Sequence, residues 1–294
     1  MRNEKIAVIL DFDETLAPDS TSLLLESYGY DVGKFWNEVS ELIKKGFEPT
    51  HAYLTNLLSL IGKDKPLGEI SKEDLKSFGK NTIDKKFFPG IPQIFKKLKK
   101  VVREHEDCDI EFYIISGGLE EILEGSTIVR DHFKYFYGSK LGEDDDNNLR
   151  YIQRAITFTE KTRYIFEINK GISPKTTLSS PYEVNKDVPI NERRIPFSNM
   201  IYIGDGRSDI PCFSLVSKGP AGGTGKGGYA FAVYRKDEQN SLSSLLETMG
   251  YIKDKRVLAA YSPDYSENSD LYKTIYGAVM AVVGDIELRR RIPY

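Results

Sequence analysis

The stretch Ile6-Ala7-Val8-Ile9-Leu10-Asp11-Phe12-Asp13-Glu14-Thr15 decides the fold. An unbroken aliphatic run leaves Lys5 and stops at a carboxylate, which suits a strand buried on both faces inside a parallel sheet. Such sheets place their chemistry beyond the carboxyl ends of the strands. Asp11 and Asp13 are two residues apart, so in extended chain both side chains leave one face while Phe12 turns to the other. Two like charges about 4 Å apart repel by roughly 4 kcal/mol at a surface-like dielectric. A cation or a proton therefore belongs between them.

Two later stretches have the same build, an apolar run ending in small or acidic polar groups. They are Phe112-Tyr113-Ile114-Ile115-Ser116-Gly117-Gly118 and Met200-Ile201-Tyr202-Ile203-Gly204-Asp205-Gly206-Arg207-Ser208-Asp209. Between them, Thr157-Phe158-Thr159-Glu160-Lys161 opens a helical pattern continued by Tyr164, Ile165 and Ile168 and stopped at Lys170-Gly171. In order, these residues resemble the four motifs of the haloacid-dehalogenase superfamily: Asp-x-Asp-x-Thr, a Ser or Thr after a strand, a Lys, and Gly-Asp-x-x-x-Asp. The resemblance covers residues 5–16 and 88–235. Lys161 is the candidate for the third motif; Lys170, placed to complement a helix C-terminus, and Lys175 are the alternatives.

The resemblance implies an α/β fold, a doubly wound, mostly parallel sheet with an inserted helical cap. The expected division is a catalytic core of residues 1–17 and 88–238, a cap of residues 18–87, and a C-terminal helical extension of residues 239–294 on the core or a partner. Within the insert, Ser20 or Thr21 is expected to cap a helix carrying Leu23, Leu24 and Tyr28. Phe35, Trp36, Val39, Leu42 and Ile43 mark a second helix, residues 51–61 a third, and Ser71-Lys72-Glu73-Asp74 opens a fourth. Such an insert resembles the helical cap of phosphoserine-phosphatase-like and dehalogenase-like members, which closes over small substrates.

Phe88-Pro89-Gly90-Ile91-Pro92 punctuates the return to the core. Beyond it the pattern predicts a helix through Ile94, Phe95, Leu98, Val101 and Val102, then one helix over 119–129, a strand over 135–137 and a return strand over 155–158. Residues 143–148 read as a solvated turn and 172–198 as a surface excursion. Gly219 to Gly228 form a flexible loop whose spacing does not fit a nucleotide-binding loop, and a strand follows over 229–234. The tail reads as helical, with one stripe of Leu242, Leu245, Leu246 and Met249 and another from Leu271 to Leu288, ending in Arg289-Arg290-Arg291.

Composition narrows the function classes. With 294 residues, 40% hydrophobic and 29% charged, the chain suits a core plus a second module. A net charge of −3 supplies no basic excess for nucleic acid or an anionic membrane. Cys108 and Cys212 make no Cys-x-x-Cys pair, so neither a disulfide framework nor a thiolate zinc site is indicated. The short apolar run before Asp11 is no signal core or membrane span, and the expected compartment is the cytoplasm.

Hard carboxylate oxygens beside a phosphate point to Mg2+. By the resemblance, Asp11 and Asp205 bind it directly and Asp13 through its backbone carbonyl, while Asp209 and Thr15 support the site. Asp11 is then the nucleophile that forms an aspartyl-phosphate, and Asp13 the general acid and base. Ser116, Gly117 and Lys161 hold the phosphoryl oxygens. Asp at position 13 favours a phosphatase over a dehalogenase, because a halide leaving group needs no proton. The expected substrate is a small phosphorylated metabolite, with Tyr28, Phe35 and Trp36 as candidate pocket walls. A phosphotransferase and a non-catalytic binding protein on the same fold are the alternatives.

Overall fold

A computed structural model describes residues 4–106, 108–219, 227–234 and 241–291. Its strands are β1 (Glu4–Leu10), β2 (Cys108–Leu119), β3 (Tyr135–Glu143), β4 (Leu149–Arg154), β5 (Met200–Gly204), β6 (Tyr229–Val233) and β7 (Ala259–Tyr261). They form one sheet in the order β4-β3-β2-β1-β5-β6-β7. All pairings are parallel except β3 with β4. β1 is central, with Ile6 to Leu10 at most 1% exposed. Its even positions join one apolar cluster and its odd positions, Ala7 and Ile9, join another on the opposite face. Each such aliphatic side chain contributes about 1.5–3 kcal/mol by leaving water.

The helices are α1 (Ser20–Ser27), α2 (Val32–Lys44), α3 (Pro49–Ser59), α4 (Lys72–Asn81), α5 (Gln93–Arg103), α6 (Glu120–Gly125), α7 (Thr127–His132), α8 (Glu160–Lys170), α9 (Pro174–Ser179), α10 (Ile210–Lys218), α11 (Ser241–Lys253) and α12 (Asp270–Arg291). α1 to α4 all lie between β1 and β2, where helical periodicity placed them. The cap of α1 is Asp19, not Ser20 or Thr21: its carboxylate accepts from the Ser22 N–H at 2.6 Å, while Ser20 and Thr21 are buried in the first turn. Ser71 and Asp74 form the reciprocal cap of α4.

Other expectations are corrected. The single helix over 119–129 is two, broken at Ser126, whose hydroxyl accepts from Val129 N–H and caps α7. The return strand is β4, not 155–158: Asp144 accepts from the N–H groups of Asp146 and Asn148, and this turn brings the chain back early. Ser116 to Gly118 lie inside β2, which runs on to Leu119 through a register irregularity after Ile115. The tail is not wholly helical, since β7 extends the sheet beside β6. α12 buries Leu271, Ile275, Val279, Val282 and Ile286, and Arg289 reaches Glu4 at 2.8 Å. On α11, Leu242, Leu246 and Met249 are exposed, whereas Thr248 and Tyr251 face inward. Most of the glycine-rich loop and the residues before α11 lie outside the described residues.

The insert is fastened where α4 crosses α6. A Cβ on Gly125 would stand 1.9 Å from the Lys76 carbonyl oxygen, and one on Gly79 would stand 2.1 Å from that of Ile122. Beside this crossing Asp84 accepts from the Ser126 hydroxyl at 2.5 Å and the Thr127 N–H at 3.0 Å. Gly125→Ala is therefore expected to lower unfolding stability by about 1–3 kcal/mol, the usual cost of overpacking. An unchanged urea midpoint would show that the two helices separate freely.

Candidate active site

The tips of β1, β2 and β5 meet the start of α8 and the insert around a cleft of about 280 Å3. Drug-sized ligands occupy pockets of roughly 300–1,000 Å3, so this cleft suits a smaller molecule. Asp11, Asp13, Ser116, Gly117, Lys161 and Asp205 all line it. Residues separated by almost two hundred positions thus reach one point because their strands are neighbours in the sheet.

Lys161, on the first turn of α8, is 1% exposed. Its ammonium lies 3.0 Å from Asp11 and 2.8 Å from Asp209, and donates to Ser208 Oγ at 3.2 Å. Burial alone would lower its pKa, but the charges of Asp11 and Asp209 outweigh that and hold it above the ordinary lysine value. Lys170 is engaged elsewhere, donating to the carbonyls of Val184 and Lys186, and Lys175 is not among the residues lining the cleft.

Carboxylate oxygens of Asp11, Asp205 and Asp209 lie within 4.8 Å of one another. Asp209 is fully buried, and its oxygens already accept from Lys161, from the Tyr202 hydroxyl at 2.7 Å and from Gly206 N–H at 3.3 Å. It is an organiser of the cluster. Burial raises the pKa of Asp11 to about 7; Lys161 opposes the rise and Asp209 adds to it.

Asp13 stands apart from this trio. Its side chain accepts from Ser20 N–H at 2.7 Å and from Ser116 Oγ at 3.4 Å. Gly118 makes room for it, since a Cβ there would come 2.4 Å from Asp13 Oδ2. Burial, reinforced by the charge of Asp19, raises its pKa to about 8. Ser116 Oγ also accepts from Gly118 N–H at 3.0 Å, which fixes the loop. The Gly117 carbonyl accepts from the Tyr53 hydroxyl of α3 at 2.5 Å and from Ser139 Oγ at 2.7 Å.

Thr15 is fully buried. Its hydroxyl is buried without a hydrogen-bond partner among the described residues, so its backbone does the bracing. Its carbonyl accepts from the Tyr265 hydroxyl at 2.8 Å. Of the aromatic wall candidates, Trp36 lines the cleft, Phe35 is buried core and Tyr28 is exposed. Sequence reasoning missed Tyr53, Tyr202 and Tyr265. A lone hydroxyl within the aliphatic Met200 to Ile203 run was the available signal for Tyr202; the other two carried none.

A family model for haloacid dehalogenase-like hydrolases matches residues 8–214. The chain belongs to that family. A relative from Borreliella burgdorferi, described as an uncharacterized protein, is 28% identical over 241 residues, 74% of this chain and 80% of its own. Among solved structures, a phospho-aspartyl intermediate analogue of phosphoserine phosphatase shares 15% identity over 93% of this hydrolase and 98% of that chain, with a TM-score of 0.52. A HAD-family hydrolase from Salmonella enterica serovar Typhi shares 14% over 88% of this chain and 67% of its own, with a TM-score of 0.51. Those likenesses establish the fold. No helix among the described residues is long and apolar enough to cross a membrane.

Proposed function

We propose that this haloacid dehalogenase-like hydrolase is a Mg2+-dependent phosphatase acting on a small phosphomonoester. The observation that carries the reading is the meeting of Asp11, Asp205 and Asp209 around the single ammonium of Lys161. Three carboxylates against one ammonium leave a negative excess, which repels a phosphate dianion unless a cation joins them. All the donors are hard oxygens, the set that Mg2+ takes. With Asp209 saturated by protein donors, Asp11 and Asp205 would hold the ion, with the Asp13 backbone carbonyl. Bound there, it would neutralise the carboxylates and polarise a phosphoryl oxygen.

The chain's own residues supply the remaining steps. Asp11 attacks phosphorus, and the bond to the leaving oxygen breaks as an aspartyl-phosphate forms. Asp13, protonated near neutral pH by its raised pKa, gives its proton to that oxygen. The resulting carboxylate then takes a proton from water, which attacks phosphorus, frees Asp11 and releases phosphate. Ser116, the Gly117 N–H and Lys161 steady the phosphoryl oxygens through both steps. Hydrolysis of para-nitrophenyl phosphate with and without Mg2+ tests this reading. Added alcohols in the same assay would reveal transfer to an acceptor other than water.

The raised pKa values of Asp11 and Asp13 also make stability depend on pH, and that of Asp11 sets a pH signature for metal binding. Their folded values of about 7 and about 8 lie above the ordinary carboxylate value of 3.8. Their contribution to stability is therefore fully present below pH 3.8 and is lost as the pH rises through 7 to 8. Mg2+ competes with the Asp11 proton, so the rise in Tm that it produces should be small at pH 5 and grow as the pH rises through about 7. At a concentration about a hundredfold over Kd it stabilises by roughly 2.7 kcal/mol. A Tm increment that is flat or shrinking with pH would contradict metal binding at the Asp11 carboxylate.

A further inference from the structure

We infer, resting on the phosphatase reading above, that the substrate's leaving group is a short cationic amino alcohol without a carboxylate, held between Asp19 and Glu14 and the ring faces of Trp36 and Tyr53. All four residues line the cleft, and Asp19, Trp36 and Tyr53 belong to the insert. The lining residues carry two cations among those described, Lys161 and Arg207. Lys161 lies at the floor, committed to Asp11 and Asp209. Arg207 is at the rim, with its Nε donating to Glu247 of α11 at 2.6 Å. A leaving group bearing a carboxylate or a second phosphate would thus meet acids and aromatic rings, with no cation of the insert to receive it.

The aromatic pair lines the cleft with its polar atoms taken by the protein. Trp36 Nε1 donates to Ser22 Oγ at 2.9 Å, and the Tyr53 hydroxyl is taken by the Gly117 carbonyl. Their centroids are 6.3 Å apart with the planes tilted by 45°, which makes a corner. With their hydrogen-bonding atoms used by the protein, the faces are left to attract a cation through the ring quadrupole. The acids close the corner. Glu14 adopts a left-handed backbone conformation, φ 58°, which is uncommon outside glycine and clusters at functional sites. Its Oε1 accepts from Asp19 N–H at 3.0 Å, tying the two residues together. Ser20, next to Asp19, donates its N–H to Asp13 at 2.7 Å, so this corner adjoins the residue proposed to protonate the leaving oxygen.

The test compares kcat/KM, with Mg2+, for choline phosphate, ethanolamine phosphate, L-phosphoserine and the uncharged isostere of choline phosphate in which carbon replaces nitrogen. The cationic esters should exceed the isostere by about tenfold or more, and phosphoserine should fall below ethanolamine phosphate. Asp19→Asn, which can still cap α1, and Trp36→Leu should each collapse the ratio between choline phosphate and its isostere. Because Trp36 is the only tryptophan in the chain, quenching of its fluorescence on titration with choline phosphate gives a second readout, made in Asp11→Asn to prevent turnover. Equal rates for the charged and uncharged esters, or a preference for phosphoserine, would overturn this inference while hydrolysis of para-nitrophenyl phosphate left the phosphatase reading standing. Absence of aryl phosphate hydrolysis would overturn both. Should Asp19→Asn not fold, the wild-type comparison and Trp36→Leu decide.

Discussion

Asp11→Asn should abolish phosphate release from para-nitrophenyl phosphate, lowering kcat by about 10^4-fold or more, as loss of a nucleophile does. The amide cannot form the aspartyl-phosphate, and it withdraws one of the carboxylates proposed to hold Mg2+. Unfolding would not account for the loss. Asp11 is a buried carboxylate whose pKa burial raises to about 7, so above that pH the native state carries a charge that it solvates poorly. An isosteric neutral group removes this cost. Tm at pH 8 should therefore hold or rise while activity disappears. A variant retaining more than about a tenth of wild-type kcat would remove Asp11 from the nucleophile's role and would sink the mechanism.

Lys161→Met should do the reverse, damaging fold and activity together. The ammonium is the partner of both Asp11 and Asp209 in a site that water barely reaches. Taking one partner from a buried ion pair costs about 3–5 kcal/mol, because the remaining charges stay buried without compensation. The pKa of Lys161 is raised on folding. Its contribution is thus fully present below the unfolded lysine value, about 10.4, and is lost only as the pH climbs through the higher folded value. At neutral pH the whole effect should be visible. The cost should also be greater at pH 8 than at pH 6, since Asp11 can take up a proton at the lower pH and shed its charge. Denaturant midpoints of wild type and variant at the two pH values measure this. A loss below about 1 kcal/mol at pH 8 would mean that the pair is solvated. Lys161→Arg should not restore activity, because a planar fork cannot replace a compact ammonium between two carboxylates.

The legible parts of this molecule were those written in short-range pattern. Buried parallel strands read as unbroken aliphatic runs, so Ile6 to Leu10 and Met200 to Ile203 announced themselves, and the acids at their ends marked where chemistry gathers. Lys161 stood out through the family resemblance, as a lysine just after an expected strand and at a helix start, with Lys170 and Lys175 as alternatives. Long-range pairing was harder to see. β7 is only Ala259–Tyr261, too short to show a period, and its membership in the sheet depends on a neighbour rather than on its own composition. Tyr53 and Tyr265 look like any core aromatic until their hydroxyls are seen to end on Gly117 and Thr15. Thr15 itself matched a motif, yet its hydroxyl has no partner among the described residues and its carbonyl carries the contact, a distinction that residue identity does not encode.

The bond from Tyr265 to Thr15 joins residues 250 positions apart. A chain emerging from the ribosome carries Asp11, Asp13, Ser116 and Lys161 before it carries the tyrosine that braces the first loop. The brace on that loop is thereby a long-range one: it forms only once a residue made 250 positions later is in place.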